Sequence, residues 1–437
     1  MTQVAALIDA IGAAEFVEFS GRVTAIGQGA IAATGPLSFI GDMCSVGEGG
    51  DAVLAEVVAV DSDGLRLIAL GRSNAVRPGT VVRRSASHSA HRSGDDFAGR
   101  AVDAFGHAID GGPAVTGMVH RQEGRIGVLS KTIVLRRVVT GFRAIDALLP
   151  IAQGQRIGIF AASGVGKTTL IEQLSLHVPC DHVVACLIGE RGREVERLWR
   201  LHRDSERGDR STIVAATSDE SASARVRALY QALALCEAWR DAGRHVVLFV
   251  DSITRFAMAQ REIGLAAGEP PSVRSYTPNV FAALPGIVER CGAVKGGGAI
   301  TAVFTVLSET DDVDDPIVET MKAILDGHIV LSRKLAEKGR FPAIDIAASV
   351  SRVSDQVLDT ATRAAAQHLR RYFAEYEEAR AMIESGIYQP GSSKEIDRAI
   401  GLQPRIAEFL QQDKPDMRNP AATDKGLVQL VSMGAQA

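Results

Sequence analysis

One stretch constrains this chain more than any other: Phe160-Ala-Ala-Ser-Gly-Val-Gly-Lys-Thr-Thr-Leu170, set between the apolar run Arg156-Ile-Gly-Ile-Phe and a helix-forming segment. A phosphate chain needs many N–H donors converging on it, and only a glycine-bearing loop that opens onto a helix N-terminus brings backbone amides that close. Gly164 and Gly166 allow the approach, Lys167 reaches the terminal phosphates, and Thr168 offers its hydroxyl to Mg²⁺. Ala161, Ala162, Ser163, Val165 and Thr169 complete the expected nucleotide-binding loop. The strict pattern has glycine at position 161, where this chain has alanine; the second half of the motif is intact.

Two carboxylates follow at strand ends. The apolar run Val246 to Val250 leads straight into Asp251, where an acid holds Mg²⁺ directly or through water in phosphate-loop enzymes. The alternative is that Asp251 only caps the helix that follows. The run Val183 to Leu187 leads to Gly189-Glu-Arg-Gly192, which puts Glu190 where ligands bind in open α/β sheets. Hydrolysis needs a group that orients and polarises a water in line with the γ-phosphorus, and Glu190 is the candidate, a solvated loop charge being the alternative.

Around this centre the texture changes three times. Ala5 to Phe16 has helical apolar spacing. From Ser20 to Val82, short apolar runs broken by glycine, with a turn at Asp61-Ser-Asp-Gly64, read as a small closed β-barrel. The polar Arg83 to Asp96 reads as a linker or exposed loop. From about Gly99 to Ser351, β-like runs alternate with helical segments, the pattern of a parallel sheet covered by helices, and beyond Asp355 the chain turns helical and charged. The expected parts are a helical segment over 1–19, a barrel over 20–90, an α/β ATPase domain over 91–355 and a helical domain over 356–437.

Composition narrows the setting. With 46% hydrophobic and 23% charged residues the chain is an ordinary globular one, and a net charge of −4 gives no general pull toward nucleic acid or an anionic membrane. Five scattered cysteines with no Cys-x-x-Cys make neither a disulfide framework nor a zinc site and fit a reducing cytoplasm. Met1 to Phe19 contains no Lys or Arg, unlike a secretory signal, and no apolar run is long enough to span a bilayer. Membrane association is therefore expected only peripherally, through partners.

Several segments together resemble the hexameric ATPases related to rotary ATP synthase catalytic subunits, most closely the flagellum-specific ATPases of the type III export apparatus. They are Gly154-Gln-Arg-Ile-Gly-Ile-Phe, Ser163-Gly-Val-Gly-Lys-Thr, Gly189-Glu-Arg-Gly-Arg-Glu-Val, Thr217-Ser-Asp-Glu-Ser221, Asp251-Ser-Ile-Thr-Arg-Phe-Ala-Met-Ala-Gln-Arg-Glu-Ile263, Ile324 to Ala336 and Phe341-Pro-Ala-Ile-Asp-Ile-Ala-Ala-Ser-Val-Ser-Arg352. The resemblance covers roughly Gly21 to Ile400. It implies a RecA-like P-loop NTPase core between an N-terminal small β-barrel and a C-terminal helical domain. It also implies phosphate and Mg²⁺ binding by Lys167, Thr168 and Asp251, water activation by Glu190, and a contact from Arg191 to phosphate or a neighbouring subunit. Non-catalytic rotary subunits carry Gln at the position of Glu190, so Glu argues for hydrolysis. Arg352 matches an arginine finger that reaches into the adjacent subunit's site, so identical subunits in a homohexamer would complete every site. Phe341 matches an adenine-stacking aromatic and Tyr388 is placed on the other side of the base, with a core role as the alternative for both.

The family's partners would be a stator-like regulator at the N-terminus, a coiled-coil stalk protein, the export gate and chaperone–substrate complexes. Ala162, where these enzymes usually have glycine, and Arg274-Ser-Tyr-Thr-Pro278, which departs from a Gly- and Pro-bearing loop, are the main departures. The injectisome ATPase of virulence secretion is a near twin of the flagellar one. An RNA-translocating ring is disfavoured, because Glu18 to Ala90 holds six Arg, no Lys, seven acidic residues and only Phe19 and Phe39 as aromatics; no nucleic-acid partner is expected.

Overall fold

The computed structural model describes residues 19–27, 29–71, 76–85, 90–120, 127–132, 134–307, 315–417 and 419–436. The helix expected over Ala5 to Phe16 lies outside the described residues.

Nearest the N-terminus, alternating side chains roll six strands into a closed barrel. Ser20–Gly27 pairs with Ala30–Ala33, and the order continues through Gly64–Ala69, Val53–Asp61, Met43–Val46 and Val81–Arg84, which pairs back to Ser20–Gly27. Val23, Ile31, Cys44, Val57, Leu67 and Val82 fill the interior, and closure leaves no strand edge open. The turn after Asp61 is held by that residue's own carboxylate, which accepts the N–H of Asp63 at 2.9 Å and of Gly64 at 3.2 Å. Gly64 is needed there: its φ is 134°, and a Cβ would lie 2.1 Å from the Ala33 carbonyl oxygen.

The segment expected as a polar linker is bound at both ends. Arg83 and Arg84 belong to the strand that closes the barrel. Asp95 accepts hydrogen bonds from Trp239 Nε1 at 2.9 Å and from the Arg244 guanidinium at 2.7 and 3.0 Å, which fastens the chain to the nucleotide domain. Those partners stand 144 and 149 residues away, so composition alone reads the stretch as loop.

The main sheet runs in the order Ile344–Ser351, Gly327–Leu331, Arg156–Ala161, Ala299–Leu307, His245–Asp251, His182–Glu190, Ser211–Thr217, Ala101–Val102. Along this order the first pair is antiparallel and the others are parallel; two short strands, Gly292–Val294 and Lys131–Thr132, add antiparallel pairs beside Ala299–Leu307. His182–Glu190 is buried along its whole length, as expected for a parallel strand covered on both faces. Parallel register brings the strands' C-terminal ends to one edge: Ala161 lies opposite Leu307, Leu187 opposite Asp251, and Glu190 opposite Thr217. The phosphate loop, Asp251 and Glu190 therefore share that edge.

Three helices, Thr360–Glu384, Lys394–Leu410 and Pro420–Gln436, form the C-terminal domain. The first is capped by Asp359, whose carboxylate accepts the N–H of Ala361 at 2.9 Å and of Thr362 at 3.0 Å. A two-fold hydrogen-bonded ion pair between Arg137 and Asp424, 2.9 Å at each contact, ties the domain to the two-stranded sheet of Arg137–Val138 and Ile151–Ala152. The Arg370 guanidinium adds bonds to the carbonyls of Leu148 and Ser349. No helix among the described residues is long and apolar enough to cross a membrane.

Between the helices Ile253–Ala267 and Pro278–Arg290, Arg274 and Ser275 adopt left-handed backbone angles, φ 50° and 63°. This is the loop that departs from the Gly-bearing version. Ser275→Gly relieves a conformation that costs an L residue about 1–2 kcal/mol, offset in part by glycine's greater chain entropy. A net gain of about 0.5–1 kcal/mol is expected, read as a higher denaturant midpoint at unchanged slope.

Candidate active site

The phosphate loop has the conformation its glycines allow. The strand ends at Ala161 and the helix Lys167–His177 begins directly after Gly166, with Gly164 at φ 80° and Gly166 at φ 93°. Ala161 is a buried strand residue paired with Leu307 and Leu331, so the missing first glycine removes no left-handed position from the loop. Val165 is buried and anchors the turn, whereas Ser163, Gly164, Thr168 and Thr169 are exposed around it; Ala162 and Gly166 are partly exposed.

Lys167 reaches across the edge of the sheet to an ion pair with Asp251 Oδ1. Two strand spacings, about 10 Å, separate their strands. Thr305, on the strand between them, donates its hydroxyl to the same Oδ1 at 2.6 Å. Asp251 is not a helix cap: the helix Ile253–Ala267 is capped by Ser252, whose hydroxyl accepts the Arg255 N–H at 3.3 Å. The Asp251 carboxylate is thus committed to the site. With the exposed Thr168 hydroxyl it makes an oxygen-only donor pair, which suits a hard divalent cation bound chiefly through phosphate oxygens.

Glu190 stands one strand further on, 7% exposed. Burial, then the neighbouring Asp251 charge, push its carboxyl up to about 7, against the pull of Arg255 and Lys167. Arg255 Nε lies 3.2 Å from Glu190 Oε1, and the same guanidinium donates to the Gly189 carbonyl. A buried acid beside a cation, at the level of the phosphate loop, is positioned to orient a water. Arg191 is exposed beside it, at the cap position of the helix Gly192–Arg203. Arg255 is a site residue that sequence reasoning left unassigned, although Asp251-Ser-Ile-Thr-Arg255 puts it four residues beyond the strand-end acid.

Beside the loop lies a cavity of about 320 Å³ lined by Val165, Gly166, Thr169, Phe341, Pro342 and Gln412 among others. The Phe341 ring approaches Gly166 so closely that a Cβ there would touch it at 3.5 Å. Gln412 holds this wall in place: its N–H donates to the Phe341 carbonyl at 2.8 Å, its Oε1 accepts the Arg143 N–H at 2.6 Å, and its Nε2 donates to the Gly141 carbonyl at 3.0 Å. The cavity suits a nucleobase stacked on Phe341. Phe341→Ala is expected to weaken nucleotide binding by about 1–3 kcal/mol, the worth of one base–aromatic stack, as measured by titration with a fluorescent nucleotide.

The structure does not bring Tyr388 to this cavity. Its hydroxyl lies 3.1 Å from the Ser393 carbonyl and 3.0 Å from Asp397 Oδ1, in the turn between two C-terminal helices, because Gly386 and Gly391 fold that segment back on itself. Arg352 is also apart from the phosphate loop. Ser351 pairs with Gly327 at the start of that strand, whereas Ile344 and Leu331 lie level with Ala161 at the loop end. The offset along the strand is about 13 Å, on the outermost strand of the sheet, and Arg352 is exposed there. Its guanidinium cannot reach the Lys167 site of its own chain.

A phosphate-binding loop with two acids, Asp251 and Glu190, on the same sheet edge defines a nucleoside-triphosphatase of the parallel α/β kind. Comparison with known proteins narrows this. Residues 141–351 match the nucleotide-binding domain of the ATP synthase alpha/beta family, and residues 358–429 match the T3SS EscN ATPase C-terminal domain. The flagellum-specific ATP synthase of Bacillus subtilis is 39% identical over 432 residues, 98% of each chain. The type 3 secretion system ATPase of Pseudomonas savastanoi pv. phaseolicola is 39% identical over 428 residues, 95% of this chain and 94% of that one. The assembled ATPase EscN of the enteropathogenic E. coli type III secretion system superposes with a TM-score of 0.87 at 36% identity, covering 94% of this chain and 100% of that one. The chain belongs to the flagellar and type III secretion ATPases of the ATP synthase alpha/beta family, and its reaction is the hydrolysis of ATP.

Proposed function

We propose that this protein energises flagellar type III protein export as a Mg²⁺-dependent ATPase, working in the cytoplasm as a ring of six identical subunits held at the inner face of the membrane by its partners. One observation carries the reading: Lys167, Asp251 and Glu190 share one sheet edge, whereas Arg352 sits at the far end of the outermost strand. A second copy could present its own Arg352 to that edge, and a closed ring of copies would complete each site.

The chemistry follows from the charges. Bound ATP would draw Lys167 from Asp251 toward its phosphates, and the Asp251 carboxylate and Thr168 hydroxyl would then hold Mg²⁺. That ion would neutralise charge on the phosphate oxygens. Glu190, ionised, accepts a proton of the attacking water and aligns its oxygen with the γ-phosphorus, while Arg255 keeps the carboxylate in place. Phe341 holds the base. Arg191 and the neighbour's Arg352 would counter the charge that develops on the transferred phosphoryl group.

The assembled EscN relative has also been solved in complex with its central stalk EscO, matching this chain with a TM-score of 0.83 at 35% identity. That likeness supports a coiled-coil stalk partner against the C-terminal face of the ring. The stator-like regulator at the N-terminus and the export gate with its chaperone–substrate complexes complete the proposal. The test is ATP turnover by the purified chain with and without Mg²⁺ over a range of protein concentrations. The reading expects Mg²⁺-dependent activity per subunit that climbs steeply as rings form, and no turnover for Lys167→Ala. Equal specific activity in a proven monomer would contradict the ring.

A further inference from the structure

Behind the site lies a buried polar chain to which no role has been given. Ser175, His202 and Ser211 are at most 1% exposed. His202 Nε2 lies 3.0 Å from Ser175 Oγ, and its Nδ1 lies 2.9 Å from Ser211 Oγ. Ser175 spends its own proton on the Glu172 carbonyl at 2.9 Å. While that bond holds, Ser175 Oγ accepts from His202 Nε2–H and Nδ1 accepts the Ser211 hydroxyl. Burial pushes the imidazole down to about 4, so it stays neutral and the chain stays in this form at neutral pH.

The three residues belong to the three elements that frame the reaction. Ser175 lies two turns beyond Lys167 on the phosphate-loop helix. His202 is in the last turn of the helix Gly192–Arg203, which begins immediately after Glu190 and Arg191. Ser211 opens the strand whose far end, Thr217, pairs with Glu190, and the Ser218 N–H donates to the Glu190 carbonyl at 3.1 Å. The apolar side of the Gly192–Arg203 helix, Val195 and Leu198, packs on Ala185, Leu187, Ile213 and Ala215 of the sheet. Toward the phosphate-loop helix it offers this polar chain and the Arg197–Glu172 ion pair, whose arginine is 59% exposed. That pair is open to water at its arginine end while Glu172 is buried; the polar chain is buried at every member, and a satisfied buried network specifies one arrangement.

We infer that the Ser175–His202–Ser211 chain is a strut that fixes Glu190 relative to the phosphate loop, which makes His202 a positioning residue for the hydrolytic step. The inference rests on the reading of Glu190 as the group that orients water. A small displacement of such a group costs much rate and little ground-state binding.

The experiment uses the full chain at a ring-forming concentration and compares Ser175→Ala, His202→Leu and His202→Gln with Glu190→Gln. Ser175→Ala removes one bond at nearly constant volume and keeps the test alive should His202→Leu fail to fold. The strut predicts about a tenfold or greater fall in kcat for Ser175→Ala and His202→Leu, with nucleotide Kd within about twofold of the parent. His202→Gln, which keeps one donor and one acceptor, should recover much of the rate. Unchanged kcat in folded Ser175→Ala, Kd rising in step with the loss of kcat, or His202→Gln as poor as His202→Leu would overturn it. Substantial turnover by Glu190→Gln would instead overturn the underlying assignment of Glu190.

Discussion

Glu190→Gln should abolish turnover and, at the same time, make the nucleotide-free protein more stable above pH 7. With Glu190 in the proposed role of orienting water, its removal is expected to cost on the order of 10²–10⁴ in rate. The stability gain follows from the environment that suits this acid to its task. Its folded-state value of about 7 lies above that of a free glutamate, because burial and Asp251 oppose its charge. A carboxyl raised on folding contributes favourably while protonated, and that contribution is lost as pH rises through about 7. At pH 8.5 the ionised Glu190 therefore costs stability on the order of 1–3 kcal/mol, which neutral glutamine does not. Thermal melts at pH 4.5 and pH 8.5 separate the two states, since the contribution is lost between the free glutamate value and about 7: the variant should melt near the parent at the lower pH and clearly above it at the higher. A variant that is less stable than the parent at pH 8.5 would mean that Glu190 is held as a satisfied ion-pair member, not as a strained catalytic acid.

Arg352→Ala should be as damaging by a different route. An arginine finger acts only on charge that develops during transfer, so its loss is expected to lower kcat by about 10³–10⁵. Nucleotide affinity should change little, since Arg352 lies far from the Lys167 site of its own chain and its guanidinium donates to the Lys322 carbonyl at 3.4 Å. Arg352→Lys should not rescue, because an ammonium lacks the planar fork that spans two phosphoryl oxygens. A modest loss of rate with a matching loss of affinity would reduce Arg352 to a structural role.

What could be read from the sequence divides along contact range. The phosphate loop, Asp251 and Glu190 are legible because each is a local event, an apolar strand that ends in a polar turn before a helix, and parallel register then brings the ends together without further information. Arg255 is in plain sight within Asp251-Ser-Ile-Thr-Arg255, yet its contact with Glu190 depends on two neighbouring strands being in register. Gln412 gives no local signal as a cavity residue; it reaches its partner Arg143 across 269 residues. Tyr388 shows the reverse error, since an aromatic flanked by Gly and Pro looks like a pocket wall but is held by its own turn. Arg83 to Asp96 reads as linker for the same reason: Asp95 finds Trp239 and Arg244 only once the domain has folded. The exception at the phosphate loop is instructive too, because Ala161 replaces a motif glycine at a position where the backbone is ordinary strand.

Subunit mixing tests most directly whether a neighbouring copy completes the proposed site. Glu190→Gln and Arg352→Ala chains, each inactive alone, are combined and assembled, and ATP turnover is measured. Copies that retain Glu190 then face copies that retain Arg352, and activity should appear in the mixture. A mixture as inactive as its two components, with mixed rings demonstrated, would contradict a shared site.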